Sequence, residues 1–255
     1  MNHHLTRNQA LKLTILLTAA LPASLSAQST TLSQVVDANT YVSSGQPTQN
    51  FGAMGAMEIA GPTTTQNRTE ESLIQFNMAT LQTEFNADYG PGNWAVTSVT
   101  LTQFANYPTG GVQPGNGSFN VIAPGGFELN LLSDNTWSQT AITWNNISSI
   151  LPGTDGNTST SLGDFNYAAN GVSPVTWTLG LAPSLVNDID TGGAVTIFGR
   201  PTAGSTVGYL FNTASQGNPA VLNVTVEEVP EPTSMASVAS GLAGLAAVRR
   251  WKKQR

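Results

Sequence analysis

The sequence predicts an all-β fold, an antiparallel β-sandwich or jelly roll, flanked by an N-terminal signal peptide and a C-terminal transmembrane helix. Three observations indicate the sandwich. Short runs alternate apolar and polar residues, clusters of Gly, Pro, Asn and Ser separate these runs, and no long helical pattern occurs between residues 28 and 228. Such alternation gives each strand one buried face, which is typical of antiparallel sheets. We therefore predict one domain of about nine or ten strands over residues 28–228.

The alternating runs are expected to bury their apolar members and to leave Thr, Ser, Asn or Glu outside. Tyr41 is predicted to pack in the first strand, and short helices are predicted only at residues 78–84 and 183–188. Five Trp, nine Phe and five Tyr lie mostly inside the runs and supply apolar area to bury, which distinguishes the chain from a disordered polar tract. In chain order, the predicted inward-facing residues are Val99 and Leu101; Phe119 and Val121; Phe127, Leu129 and Leu131; Val175, Trp177 and Leu179; Val195 and Ile197; and Leu222, Val224 and Val226.

The N-terminal segment has the composition of a secretory signal peptide. Arg7 and Lys12 lie in a polar start, an apolar run follows at residues 13–21, and Pro22 and small residues come next. We predict a signal peptide over residues 1–27, with the mature chain beginning at Ala27 or Gln28. The protein is therefore expected to be exported.

The C-terminal segment, residues 229–255, combines an uncharged apolar run at 235–248 with a basic end. The run is shorter than the ~20 residues that cross a bilayer, but flanking residues extend it and the basic side chains reach the headgroups. A basic cluster after an apolar run stays cytoplasmic, so the segment is predicted to be a single transmembrane helix with the body outside.

Val229, Pro230, Glu231 and Pro232, an apolar helix, and a cluster beginning at Arg249 and Arg250 resemble the bacterial PEP-CTERM sorting signal. The resemblance covers only this C-terminal segment. It implies an exosortase-type membrane protease as partner, cleavage near Pro-Glu-Pro, and delivery of the body to the envelope or surroundings of bacteria that make extracellular polysaccharide. A plain tail anchor that is never cut is the alternative.

Charge and composition exclude several functions for the body. Between residues 28 and 228, Arg68 and Arg200 are the only basic residues and stand against 14 carboxylates, a net charge of −12. Such a body repels nucleic acid, and it repels anionic polysaccharides unless calcium bridges them, so neutral glycans are the expected polymer partners. The body has no His, Cys or Lys, so His-dependent and Cys-dependent nucleophiles, Schiff bases and His/Cys metal sites are excluded.

The body also resembles DNRLRE-type domains, which are carbohydrate-binding-module-like β-sandwiches. The resemblance lies in ANTYVSSGQPTQNFGAMGAMEIAG, SLIQFNM, AVTSVTLTQFAN, NTWSQTAITWNN and PAVLNVTV, taken in this order, and covers most of residues 35–226. Its most specific part is the Trp-x-x-x-x-Ile-Thr-Trp-Asn-Asn pattern from Trp137 to Asn146. It implies a jelly-roll-like sandwich with a non-catalytic binding or structural role.

Two tryptophans are candidates for carbohydrate contact, because an aromatic face can stack on a sugar ring. Trp94 adjoins a Pro-Gly-Asn loop edge, and Trp137 precedes a run in which Ile142 and Trp144 share strand parity. Trp144 is expected to be buried in that strand. Exposed aromatic rings would indicate a carbohydrate-binding module, and a uniform Thr/Ser/Asn surface would indicate a structural or adhesive protein.

Carboxylates are the remaining route to catalysis or metal binding. Glycoside hydrolysis needs two carboxyl groups across a cleft, and the pairs at residues 70–71, 188–190 and 227–228 give no sign of converging, so we predict no catalytic residues and no enzyme activity. No cofactor is predicted. Calcium is the one ion that the loop acids would suit, although turn formation is their ordinary role. These loop residues are Asp155, Asn157, Asp164, Asp188 and Asp190.

Overall fold

A computed structural model describes residues 28–105, 122–170 and 173–229. Over these residues the chain forms eleven strands and two α-helices. The helices are α1 (Ala79–Tyr89) and α2 (Pro183–Asp190). The strands are β1 (Ser29–Val35), β2 (Ala38–Ser43), β3 (Ala56–Ala60), β4 (Glu70–Asn77), β5 (Trp94–Gln103), β6 (Gly125–Leu132), β7 (Ser159–Tyr167), β8 (Val175–Thr178), β9 (Ala194–Pro201), β10 (Gly208–Asn212) and β11 (Val221–Glu228).

The strands form two antiparallel sheets. The smaller sheet has the order β1-β11-β5-β8, and the larger has the order β10-β3-β4-β9-β6-β7 with β2 also paired to β4. The chain crosses repeatedly from one sheet to the other, so most neighbours within a sheet are distant in sequence. The predicted all-β, antiparallel sandwich is confirmed.

The inner faces of the two sheets share one hydrophobic core. The larger sheet contributes Phe76 and Phe127, and the smaller sheet contributes Leu101 and Val224, all fully buried. The predicted inward positions on β5, β6, β8, β9 and β11 are confirmed as core, with Val175 only partly buried. Phe119 and Val121 lie outside the described residues. Large-area burial of this kind is the main stabilising contribution in a body without disulfides.

Both predicted helices are present, and both continue beyond their predicted C-terminal ends, α1 to Tyr89 and α2 to Asp190. α1 joins β4 to β5 and buries Leu81 and Phe85, while α2 joins β8 to β9 and buries Leu185 and Ile189. Pro183 occupies the first turn of α2, where its missing N–H costs nothing.

A second, smaller core covers the outer face of the larger sheet. The outer loop (residues 133–158) packs its apolar side chains on this face, so β9 is buried on both sides and its Thr196 and Phe198 are as inaccessible as its inward residues. The sheet contributes Val42, Leu73, Leu132 and Phe198 to this core, and the outer loop contributes Trp137, Ile142, Ile147 and Ile150.

The predicted strand around Ile142 and Trp144 is wrong. These residues form turns and a short 3-10 helix, Ile147–Ser149, within the outer loop. Side chains satisfy the backbone here: Asn50 Nδ2 donates to the carbonyls of Gln139 (2.8 Å) and Ile142 (2.7 Å). Within the loop, Asn146 Oδ1 accepts from the Thr143 N–H over 2.7 Å, and Asn146 Nδ2 donates to the Ala141 carbonyl over 3.1 Å. Local side-chain bonds of this kind compete with strand pairing, and apolar alternation alone could not distinguish such a loop from a strand.

Within the described ranges, no helix is long and apolar enough to cross a bilayer. The predicted signal peptide, residues 1–27, and the predicted transmembrane helix in residues 229–255 fall outside those ranges, apart from Val229.

Candidate functional site

The two tryptophans expected to contact sugars are both in the interior. Trp94 is 8% exposed, packs on Phe85 and donates from Nε1 to Asn86 Oδ1 over 2.9 Å. Trp137 is 9% exposed and donates from Nε1 to Thr196 Oγ1 over 3.1 Å. Neither ring presents a face to solvent, so the structure corrects their assignment as sugar platforms. Trp144 is only partly buried, against the second core.

The outer face of the smaller sheet carries an uncharged polar surface. We call it the polar face; it crosses all four strands in register, with Ser33, Asn223, Thr100 and Thr178 forming one row. Its members hydrogen-bond across strands: Ser33 Oγ donates to Asn223 Oδ1 over 2.7 Å, and Thr102 and Thr176 share a 3.1 Å hydroxyl contact. The polar face comprises Thr31, Ser33, Ser98, Thr100, Thr102, Thr176, Thr178, Asn223 and Thr225.

A charged cleft lies on the opposite side of the molecule, on the outer face of the larger sheet. It has a volume of about 460 Å³. Arg200 on β9 pairs in register with Glu128 on β6, and the Ser72–Gly199 pair places Glu71 of β4 beside Arg200. The charged cleft is lined by Pro62, Thr69, Glu71, Glu128 and residues 200–205.

Of the two carboxylates in the cleft, Glu128 forms an ion pair with Arg200 and Glu71 does not. Arg200 Nε donates to Glu128 Oε1 in an ion pair. Burial raises the pKa of Glu71 to about 7, Arg200 opposes this shift, and Glu128 adds to it. At neutral pH, Glu71 can therefore be either a proton donor or an acceptor.

A second depression of about 310 Å³ adjoins the other side of Arg200. It is lined by Asn130, Leu151, Pro152, Ser159 and Phe198 together with Arg200. Because Arg200 lines both depressions, its side chain lies at their common border. Sequence reasoning missed this site, although Arg200 is one of only two basic residues in the body and could have been singled out on that ground.

The adjacent acids Glu70 and Glu71 are not brought together, because neighbouring strand residues point to opposite faces. Glu70 is fully buried, with Oε1 3.0 Å from Arg68 Nε and within 3.2 Å of Ser43 Oγ. Glu58 is also fully buried. These groups are closed off from solvent and have a structural role, whereas Glu71 faces the cleft.

The other candidate acids lie apart from the cleft or at its edge. Asp188 and Asp190 are on α2, where burial raises the pKa of each carboxyl, and Glu227 and Glu228 are exposed at the end of β11. Asp164 is exposed on β7, opposite Glu128.

The loop acids considered for calcium do not assemble. Among the described residues, no three His, Cys, Asp or Glu side chains come together in a way that could hold a metal ion. Asp155 lies in a turn with φ of 48°, and Asn157 Nδ2 donates to the Ser149 carbonyl over 2.9 Å. The Asp155–Asn157 stretch therefore acts as a turn, and calcium gains no support here.

The fold and its surfaces define an acidic, mostly β domain that leads into a C-terminal sorting segment. The family model of the PEP-CTERM protein-sorting motif matches residues 228–250. This confirms the motif predicted from Val229 to Pro232 and at Arg249 and Arg250, and the chain is an exported protein sorted by an exosortase. No curated protein matches the chain.

Proposed function

We propose that the body is a non-catalytic structural or adhesive component of the bacterial surface or extracellular matrix. The observation that carries this proposal is the polar face, which presents hydroxyl and amide groups without an exposed aromatic ring. Among the described residues, the large exposed hydrophobic side chains are Val35, Leu181 and Val229, none of which is aromatic. A face of this composition favours a structural role over a sugar-stacking site.

The polar face suits weak, repeated contacts with a hydrated neutral polymer. Cross-strand hydrogen bonds hold its side chains in fixed positions, as between Thr31 and Thr225 at 2.8 Å. Polymers that offer many hydroxyls can bond to such an array at several points, and repeated weak contacts add up to retention. The net charge of −12 between residues 28 and 228 disfavours anionic polymers.

Strand order supports the finer assignment of the body as a jelly roll. When β2, β3 and β10 are set aside, the remaining eight strands pair in the orders 1-8-3-6 and 2-7-4-5. That is the order of two interleaved Greek keys in a jelly roll. The DNRLRE-type, carbohydrate-binding-module-like relationship is part of this proposal and rests on the sequence resemblance.

Carbohydrate degradation is the alternative that the charged cleft raises, since two carboxyl groups line it. Glu71 and Glu128 lie on strands separated by one other, which places their backbones ~10 Å apart. Arg200 lies between them and is ion-paired with Glu128, where a glycosidic oxygen or an attacking water would have to sit. We therefore propose that the body is not an enzyme. Release of new reducing ends from neutral polysaccharides would contradict this.

We further propose that the C-terminal segment forms a single transmembrane helix before processing and that exosortase cleavage then releases or transfers the body. Support comes from the matched motif at 228–250 and from the apolar run and basic end of the sequence. An uncut anchor would give the same extracellular location with permanent membrane attachment.

The matrix role can be tested in a bacterium that has an exosortase and makes extracellular polysaccharide. The full-length chain and a Thr176→Glu variant are expressed, and the fraction held in the matrix is compared with that in the medium. The added charge on the exposed polar face should shift protein into the medium, whereas Thr83→Glu, on the exposed side of α1, should not. Equal retention of the wild type and Thr176→Glu would overturn the assignment of this face.

A further inference from the structure

The charged cleft contains hydrogen-bonding groups that the described protein does not use. Arg200 makes its one hydrogen bond to a described residue through Nε, so no described acceptor pairs with its terminal nitrogens. Glu71 accepts no hydrogen bond from a described residue. Asn130 also lines the adjoining depression, but its Nδ2 is inaccessible to solvent and therefore cannot reach a ligand there.

These groups include both donors and acceptors. The Arg200 guanidinium donates, whereas ionised Glu71 accepts. Glu71 is partly buried, so its ionised form is incompletely hydrated, and a ligand that donates a hydrogen bond to it recovers part of that cost. A ligand must therefore offer acceptors and donors within a few ångströms, as adjacent hydroxyl groups do.

Charge narrows the ligand class. Two carboxylates and one guanidinium leave the cleft with a net negative charge when Glu71 is ionised, and exposed Asp164 adds another negative charge beside Glu128. Phosphates and uronates are thus disfavoured. The exposed guanidinium, 51% accessible at its side chain, disfavours a cation at the same point. A neutral hydroxyl-rich molecule satisfies both conditions.

The size and lining of the two depressions also suit a neutral, hydroxyl-rich ligand. The two depressions, of about 460 and 310 Å³, fall at the lower end of the ~300–1,000 Å³ typical of small-molecule sites. Pro62 and Pro201 on one side and Pro152 on the other provide rigid apolar walls for the C–H surfaces of a sugar ring. Arg200 at the border can bond to units on both sides.

We propose that the charged cleft is a binding site for a neutral saccharide, with Arg200 and Glu71 contacting its adjacent hydroxyl groups. The site is on the opposite sheet from the polar face, so it is independent of the matrix role assigned to that face. It also differs from the stacking site expected at Trp94 and Trp137, because it relies on hydrogen bonds rather than on an aromatic ring.

The test uses the full-length chain and titrates cellohexaose, laminarihexaose, xylohexaose and mannohexaose, with oligogalacturonate as the anionic comparison. Saturable binding of at least one neutral hexasaccharide, measured by calorimetry, is expected. Arg200→Lys should weaken it at least tenfold, because lysine keeps the charge but loses the planar fork that spans two hydroxyls. Glu71→Gln should weaken it by a smaller factor and should preserve folding.

Asp164→Asn is the matched control, since Asp164 lies opposite Glu128 in the same sheet but does not line the cleft. Its affinity should equal that of the wild type, and so should that of Thr176→Glu on the polar face. The proposal is overturned if no neutral hexasaccharide binds, if oligogalacturonate binds more tightly than all of them, or if Arg200→Lys and Glu71→Gln both keep wild-type affinity.

Discussion

Replacing Glu71 with Gln should make the body more stable at alkaline pH and leave it nearly unchanged at acidic pH. The carboxyl lies partly buried in the charged cleft, and burial raises its pKa from 4.5 to about 7. Glutamine has almost the same shape as protonated glutamate but carries no charge at any pH. The substitution therefore isolates the free-energy cost of ionising this one group in the fold.

The direction of this pH effect on stability follows from the proton affinities of Glu71 in the folded and unfolded states. Because the folded state holds the Glu71 proton more tightly than the unfolded chain, stability falls as pH rises from about 4.5 to about 7 and stays reduced above that. A shift of this size corresponds to up to about 3 kcal/mol. For a body of this length, that is a rise in Tm of ~6–12 °C for Glu71→Gln at pH 8.

The measurement is thermal unfolding of the full-length wild type and Glu71→Gln, followed by circular dichroism between pH 4 and pH 8. The difference in Tm should be near zero at pH 4 and should grow through pH 6. Asp188 and Asp190 also have raised pKa values because of burial, but they are common to both proteins and cancel in the difference.

Asp164→Asn serves as the comparison. It removes an exposed carboxylate from β7, a strand of the same sheet, and should change Tm little at any pH. A Tm difference between wild type and Glu71→Gln that does not depend on pH would refute the reasoning. So would a destabilised Glu71→Gln at pH 8, because the ionised carboxylate would then be making a favourable interaction in the folded protein.

Two further predictions concern the outer loop and the sorting segment. Asn50→Ala removes two hydrogen bonds to the outer loop, of 2.8 and 2.7 Å, and should lower the free energy of unfolding by about 1–3 kcal/mol. Limited proteolysis of the variant should then cut within residues 138–146. Resistance to the protease equal to that of the wild type would contradict the role of Asn50. Replacing Pro230, Glu231 and Pro232 together with Ala should leave the chain uncut and membrane-associated. Immunoblotting of membrane and soluble fractions measures this. Normal release of the variant would show that the protease does not recognise the motif matched at 228–250.

Most of the sandwich could be predicted because antiparallel strands with one solvated face leave a period-two pattern. Val99 and Leu101 alternate with Thr100 and Thr102, and the structure places the first pair in the core and the second on the polar face. The pattern fails where both faces are covered. On β9, Thr196 is fully buried because the outer loop packs above it, and nothing in the local sequence indicates that cover.

The charged cleft could not have been predicted from spacing. Glu71, Glu128 and Arg200 are far apart in the sequence and meet only because β4, β9 and β6 are neighbours in the sheet. That order depends on which crossovers the chain makes between the sheets, and residue patterns within single strands carry no record of it. The opposite directions of Glu70 and Glu71, by contrast, follow directly from strand parity.

The pairing of the first and last strands fits the proposed separation of the body from its sorting segment. β1 and β11 are hydrogen-bonded neighbours, and at their ends the Glu228 N–H donates to the Gln28 carbonyl over 3.0 Å. The Val229 N–H then donates to the Asn93 carbonyl over 2.8 Å. Pro230 and Pro232 have no N–H, so they cannot continue this ladder as donors. Cleavage at the Pro-Glu-Pro sequence, as proposed above, would therefore remove none of the backbone hydrogen bonds found within the described residues, and the body would keep the strand pairing of β1 with β11.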